Sequence, residues 1–216
     1  MLDLFLSAFV TLFLVIDPPG CAPIYAGLVS GASRSQAVSM AVRACLIATL
    51  ILIVFALFGE DLLGALHIEL NSFRIAGGIM LFLIALDMVF EKRTQRREQR
   101  ADKIIAQNQQ TPEVEDVSVF PMAMPMIAGP GSIATIMLLT QRAQGTQETL
   151  VVLGALGAVM ALTLAALAAA GPLMKLLGTR VEAVITRLLG VLLAALAAQY
   201  VLDGLKAVLV TVPAAT

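Results

Sequence analysis

The chain has 216 residues, 59% of them hydrophobic and 13% charged, with a formal net charge of -1 and a mean hydropathy of +0.93. That charge content is about half that of an ordinary soluble domain, which excludes a solvated globule and points to a chain dissolved in lipid. The near-zero net charge carries no information on partners, and no nucleic-acid partner is expected.

Six apolar segments approach or exceed the roughly 20 residues that a membrane-crossing helix needs: 2–29, 37–58, 73–90, 119–139, 150–170 and 184–201. The first has no basic residues before it, carries Asp3 and is followed by no small-residue cleavage site, so it is expected to stay as a span and not to be removed as a signal peptide. It is longer than one straight span requires, and Ile16-Asp17-Pro18-Pro19-Gly20-Cys21 interrupts it. Proline removes a backbone donor and clashes with the preceding turn, so a helix broken over Asp17–Gly20 and resumed toward Val29 is predicted. The fourth segment carries a matching interruption at Ala128-Gly129-Pro130-Gly131-Ser132.

Between the third and fourth segments lies a polar stretch, 91–117, with Lys92, Arg93, Arg96, Arg97, Arg100 and Lys103. It divides the chain into a first unit (1–91), a linker (92–118) and a second unit (119–216). Alternate loops are unequal in basic residues. Arg34, the linker cluster, Lys175 and Arg180 fall in the first, third and fifth loops, against Arg142 and the span-edge Arg74 on the other side. The positive-inside rule then puts the linker in the cytoplasm and both termini outside.

The units also resemble each other: Pro19-Gly20-Cys21 pairs with Pro130-Gly131-Ser132 and, with two residues inserted between the landmarks, Arg74-Ile75-Ala76-Gly77 pairs with Arg187-Leu188-Leu189-Gly190. Three spans per unit is an odd number, so such repeats enter the membrane in opposite directions. The predicted fold is therefore an all-α membrane protein of six transmembrane helices in two inverted three-helix repeats, the first and fourth spans broken at Pro-Gly. Matched interruptions of this kind mark the substrate site in many secondary carriers.

A helix that resumes after a break offers unpaired N–H groups and the positive end of its dipole. Two such ends meeting near the midplane would cradle a carboxylate or another small anion. Gly20, Gly129 and Gly131 allow close backbone approach, and Ser132 and Thr135 add hydroxyls. Asp17 is the sharpest single residue, because an acid inside a span is by default a functional candidate. It suits a substrate ammonium, a cation or a coupling proton; it also suits a plain helix cap, and the two roles are compatible. The candidate substrate-binding set is Asp17, Pro19, Gly20, Cys21, Tyr25, Gly129, Pro130, Gly131, Ser132 and Thr135.

Elsewhere, Cys21 and Cys45 read as small reduced hydrophobes. Arg43, Arg74 and Arg187 read as interfacial, and His67 as solvated in an outer loop with Glu60, Asp61 and Glu69. The small residues of the fifth and sixth spans, Gly154, Gly157 and Gly190 among them, read as close packing within the bundle, with a homo-oligomer interface as the alternative. No phosphate-binding loop, metal constellation or nucleophile–base pattern is present in the sequence, so neither cofactor nor enzymatic activity is expected.

Three blocks carry a family resemblance. They are Asp17-Pro18-Pro19-Gly20 with Pro23, the run from Pro121 through Pro125 and Gly129-Pro130-Gly131-Ser132 to Thr135, and Phe73-Arg74-Ile75-Ala76-Gly77-Gly78. Through them nearly the whole chain resembles the MarC family of bacterial inner-membrane proteins, which includes neutral amino acid transporters. The resemblance implies a carrier of small neutral amino acids such as glycine and alanine, proton-coupled, in the cytoplasmic membrane. The competing expectation is a membrane scaffold or stress-associated protein without a transport cycle, for which two matched interruptions have no use.

Overall fold

A computed structural model of the chain describes residues 1–90 and 116–211, the side chains of 172–183, 210 and 211 excepted. Every element among the described residues is a helix, with no strand among them. The cluster of basic residues in the 92–118 linker lies outside them, as do the side chains of Lys175 and Arg180.

The first span consists of α1 (Leu2–Ile16) and α2 (Pro18–Leu28), together 27 residues long. Asp17 joins them in the left-handed conformation, φ 57° and ψ 63°, which aspartate tolerates better than most residues. Its N–H closes the last turn of α1 on Phe13 O at 2.9 Å, and its carbonyl accepts from Cys21 N at 3.0 Å to open α2. Pro18 takes the first helical position, where its missing donor costs nothing.

α3 (Arg34–Ala65) opens with a capping box: Gln36 N donates to Ser33 Oγ, and Ser33 N donates to Gln36 Oε1. It continues well past Phe58, so Glu60 and Asp61 sit on its last turns and not in an outer loop; only His67, at φ 56°, and Glu69 belong to the connection. Hydropathy marks where lipid ends. A helix ends only where its hydrogen bonds do, and α3 runs on through Gly59 and Gly64 to Ala65. α4 (Leu70–Val89) returns across the bundle.

Ser118–Ile127, α5, is not a regular α-helix. Met122 N reaches Val117 O and Ala128 N reaches Ala123 O, both five residues back. Phe120 and Met124 are extended, at φ -126° and -132°. Each precedes a proline, and a proline pushes the residue before it out of the helical region. α6 (Pro130–Arg142) starts again on a proline and lies at 54° to α5. The fourth span thus departs from the expected helix not only at Gly129–Gly131 but along its whole first half. α7 (Thr146–Ala168) and α8 (Ala170–Thr211) follow. The expected loop around Lys175 and Arg180 is corrected: its backbone is the first part of α8.

α4 and α8 run antiparallel at close range. A Cβ added at Gly78 would lie 2.9 Å from Ala197 O, and one at Gly190 would lie 3.2 Å from Ala85 O. Close packing through small residues therefore holds at Gly190. It fails at Gly154 and Gly157, which meet nothing within 4 Å, because α7 turns the stripe Val152, Ala155, Leu156 and Val159 inward instead.

Two apolar clusters share the interior. The larger joins α1 and α2 to α3, α5, α6, α7 and Ala170 at the start of α8. The smaller joins α4 and α8 to Leu14 and Val15 of α1 and Leu138 of α6. α1 contributes several buried residues to both clusters, Ala8, Leu12 and Ile16 to the larger and Leu14 and Val15 to the smaller, so the first span runs between them. Burial agrees: 56% of the apolar window of the α1–α2 span is buried, against 28–39% in the other four spans. The bundle has two faces. One holds the α3–α4 connection, the end of α6 and the last turns of α8; the other holds the α2–α3 connection and the end of α4.

Candidate functional site

The α1–α2 junction is sealed from solvent. Asp17 is 1% exposed, and its Oδ1 accepts from Gly20 N at 3.2 Å, so the capping role foreseen for it is realised. Gly20 is what lets the carboxylate fold over the helix end: a Cβ there would fall 2.2 Å from Asp17 Oδ2. Cys21 is buried with its thiol 3.4 Å from Ile16 O. Pro19 is half-buried. Tyr25 is buried too, but its phenol donates to Ala37 O. The structure thus spends Tyr25 on tying α2 to α3, about two turns from Asp17.

The second junction differs in one respect that matters chemically. Gly129 occupies the N-cap of α6 and supplies no side-chain acceptor, so the first N–H groups of α6 lack the cap that Asp17 gives to α2. Gly131 is buried, and the space beyond its Cα is held by Ile84, Val15 and Leu81; an added Cβ would be 3.5 Å from Val15 Cγ1. Val15 lies two residues before Asp17. The start of α6 is therefore packed on the end of α1, which brings Gly131 to the first junction. Ser132 is 3% exposed and Thr135 0%, with Thr135 Oγ1 lacking a protein hydrogen-bond partner among the described residues. Pro130 departs from the set, being exposed on the outside of the turn.

Seven of the ten candidates, Asp17, Gly20, Cys21, Gly129, Gly131, Ser132 and Thr135, are thus buried at or next to the two junctions, whereas Pro19, Pro130 and Tyr25 are half-buried, exposed and engaged elsewhere. The arrangement offers a fixed acid on one side and uncapped amides with two buried hydroxyls on the other. Among the described residues, no group of three or more His, Cys, Asp or Glu is placed to hold a metal ion.

Two ion pairs escaped the sequence reading. Arg142 Nη2 lies 2.9 Å from Asp203 Oδ2 at the α3–α4 face, and Arg43 Nη1 lies 2.6 Å from Asp116 Oδ2 at the other. The Arg43–Asp116 pair also lines a polar cleft of about 290 Å³ with Ser35, Gln36, Ser39 and Met40. Hydrogen bonds from the Ser118 hydroxyl and amide, then the charge of Arg43, hold the Asp116 carboxyl below its ordinary value of 3.8. The pair is therefore fully formed above that value and is lost only as the pH falls below it. The available signal was an acid at a span end, but the partners stand 61 and 73 residues away in sequence.

Five described helices are long and apolar enough to cross a membrane, or six when the bent α5–α6 pair counts as one span. With no strand among the described residues, that defines a polytopic helical membrane protein. The chain belongs to the MarC family of integral membrane proteins, whose model matches residues 2–209. It is 35% identical over 212 residues to a UPF0056 membrane protein of Archaeoglobus fulgidus, covering 97% of this chain and 96% of that one. It is 32% identical to the UPF0056 membrane protein YvbG of Bacillus subtilis, with 95% and 96% covered. The UPF0056 inner membrane protein YhgN of Escherichia coli is also 32% identical, with 93% and 95% covered. No solved structure matches the chain.

Proposed function

We propose that the chain is a secondary transporter of small neutral amino acids across the cytoplasmic membrane, working by alternating access and driven by protons. The observation that carries this reading is the uncapped, buried start of α6 resting on Val15, two residues from buried Asp17. A neutral amino acid bears a carboxylate and an ammonium a few ångströms apart. Uncapped helix amides suit the former and an acid suits the latter. Glycine and alanine have the least side chain to house, which suits a junction where Ile84, Leu81 and Val15 already fill the space beside Gly131.

In this reading the first and fourth spans are corresponding broken helices of two inverted repeats, and the antiparallel pairing of α4 with α8 is what such a relation requires of their third helices. The name of the Escherichia coli relative supports placement in the inner membrane. The excess of basic residues in the linker supports a cytoplasmic linker with both termini outside. The orientation is tested by single cysteines in the linker and near residue 2 of a cysteine-free chain. Impermeant maleimide on intact cells is expected to label the second and spare the first, and labelling of the linker from outside reverses the orientation.

The function is tested with purified protein in proteoliposomes and radiolabelled glycine, alanine and serine. Uptake above empty vesicles, enhanced by a proton gradient, is the expected result. No uptake of any of the three, under a gradient of either sign, would overturn the assignment.

A further inference from the structure

We propose that Arg142–Asp203 and Arg43–Asp116 are the two gates of the junction site, one closing each face of the bundle; the proposal rests on the transporter reading. Each pair joins an interrupted span to a helix outside it. Arg142, in the last turn of α6, holds Asp203 of α8 at 2.9 Å. Its guanidinium also lies 4.6 Å from the centre of the Tyr200 ring, and Gln199 donates to the other Asp203 oxygen at 2.6 Å. Asp116, two residues before α5, is held by Arg43 of α3 at 2.6 Å and also accepts from Ser118 N at 3.0 Å.

If α6 swings away from α8 to open the α3–α4 face, the first pair must part. If α5 swings away from α3 to open the other face, the second must part. With both formed, the junctions are shut from either side: Asp17, Cys21, Ser132 and Thr135 are all at most 3% exposed.

The environment of the pairs suits this work. Their side chains are 36% and 29% exposed for Arg142 and Asp203, and 52% and 46% for Arg43 and Asp116. Ion pairs so exposed are individually weak, whereas a deeply buried pair resists being parted because each charge would be stranded. A contact broken and remade in every cycle has to be of the first kind. Each pair has further support, from the Tyr200 ring and Gln199 at one face and from Ser118 at the other.

Cys21, at the first junction, is a native reporter. In a Cys45→Ala background, an impermeant methanethiosulfonate reagent is applied to sealed vesicles of each orientation. Wild-type Cys21 is expected to react slowly from both sides. Arg142→Gln should raise its rate about fivefold from the α3–α4 side alone, and Arg43→Gln should do so from the opposite side alone. The exchange Arg142→Asp with Asp203→Arg should restore the slow rate.

A raised rate from both sides in either single variant, a raised rate from the same side in both variants, or unchanged rates in folded variants would overturn the proposal. So would a variant that unfolds and is refolded by the charge exchange, since the pair is then a structural strut. Labelling needs no substrate: side-specific labelling in a chain that moves no amino acid keeps the gates and removes only the substrate assignment.

Discussion

Asp17→Asn is expected to lower amino acid uptake in proteoliposomes by an order of magnitude or more while leaving expression and thermal unfolding near wild type. Asparagine is among the few residues that tolerate the left-handed conformation, and its Oδ1 can still accept the Gly20 N–H. Shape, backbone and cap are therefore retained, and only the charge is removed. Each tenfold loss corresponds to about 1.4 kcal/mol of binding, well within what an ion pair to a substrate ammonium supplies in a site closed to water. Asp17→Ala is a poorer probe. It deletes the cap, at a cost of about 0.5–2 kcal/mol, and leaves an alanine in the left-handed region, so uptake and stability should fall together. Wild-type uptake with unchanged pH dependence in Asp17→Asn would reduce Asp17 to a cap.

What the sequence disclosed and what it hid divide along a physical line. Proline rules are local, and α2 and α6 both begin on one, Pro18 and Pro130. Apolar length is likewise local, and five spans follow from it directly. Helix ends beyond the lipid are not written in hydropathy, so α3 overruns Phe58 and α8 starts before Val184. Pro121 and Pro125 were visible, but their joint effect was not. Two prolines four residues apart each extend the residue before them, and the intervening backbone closes in wide turns. The ion pairs were the least legible of all. Asp116 finds its partner through the packing of α5 on α3, and Asp203 through the reach of Arg142 from the end of α6 to α8, and nothing in sequence spacing reports that. The same limit applied to Tyr25, whose position one turn past the first interruption suggested a ligand contact. Only the fold reveals that its phenol is taken by Ala37 O.

The second large effect is expected at Gly129. Its backbone, φ -79° and ψ 171°, suits any residue, so an alanine there is not strained by conformation. The obstacle is contact: the new Cβ would lie 2.4 Å from Pro125 O. A backbone carbonyl cannot rotate aside as a side chain can, and substituting Pro125 leaves that oxygen in place. Either the end of α5 or the start of α6 must therefore shift, and both frame the uncapped amides. Overpacking of this kind costs about 1–3 kcal/mol, enough to lower the unfolding temperature measurably without abolishing the fold. Uptake should fall further than stability does, since the displaced groups are those assigned to the carboxylate. Gly131→Ala supplies the comparison. Its nearest obstacle, 2.4 Å away, is Ile84 Cδ1, the free end of a side chain that can change rotamer. Gly131→Ala should accordingly be the milder of the two by both uptake and thermal unfolding, and Ile84→Val should recover part of its loss. If Gly129→Ala transports like wild type, or the order of the two glycines is reversed, the α5–α6 turn is not the element that fixes the site.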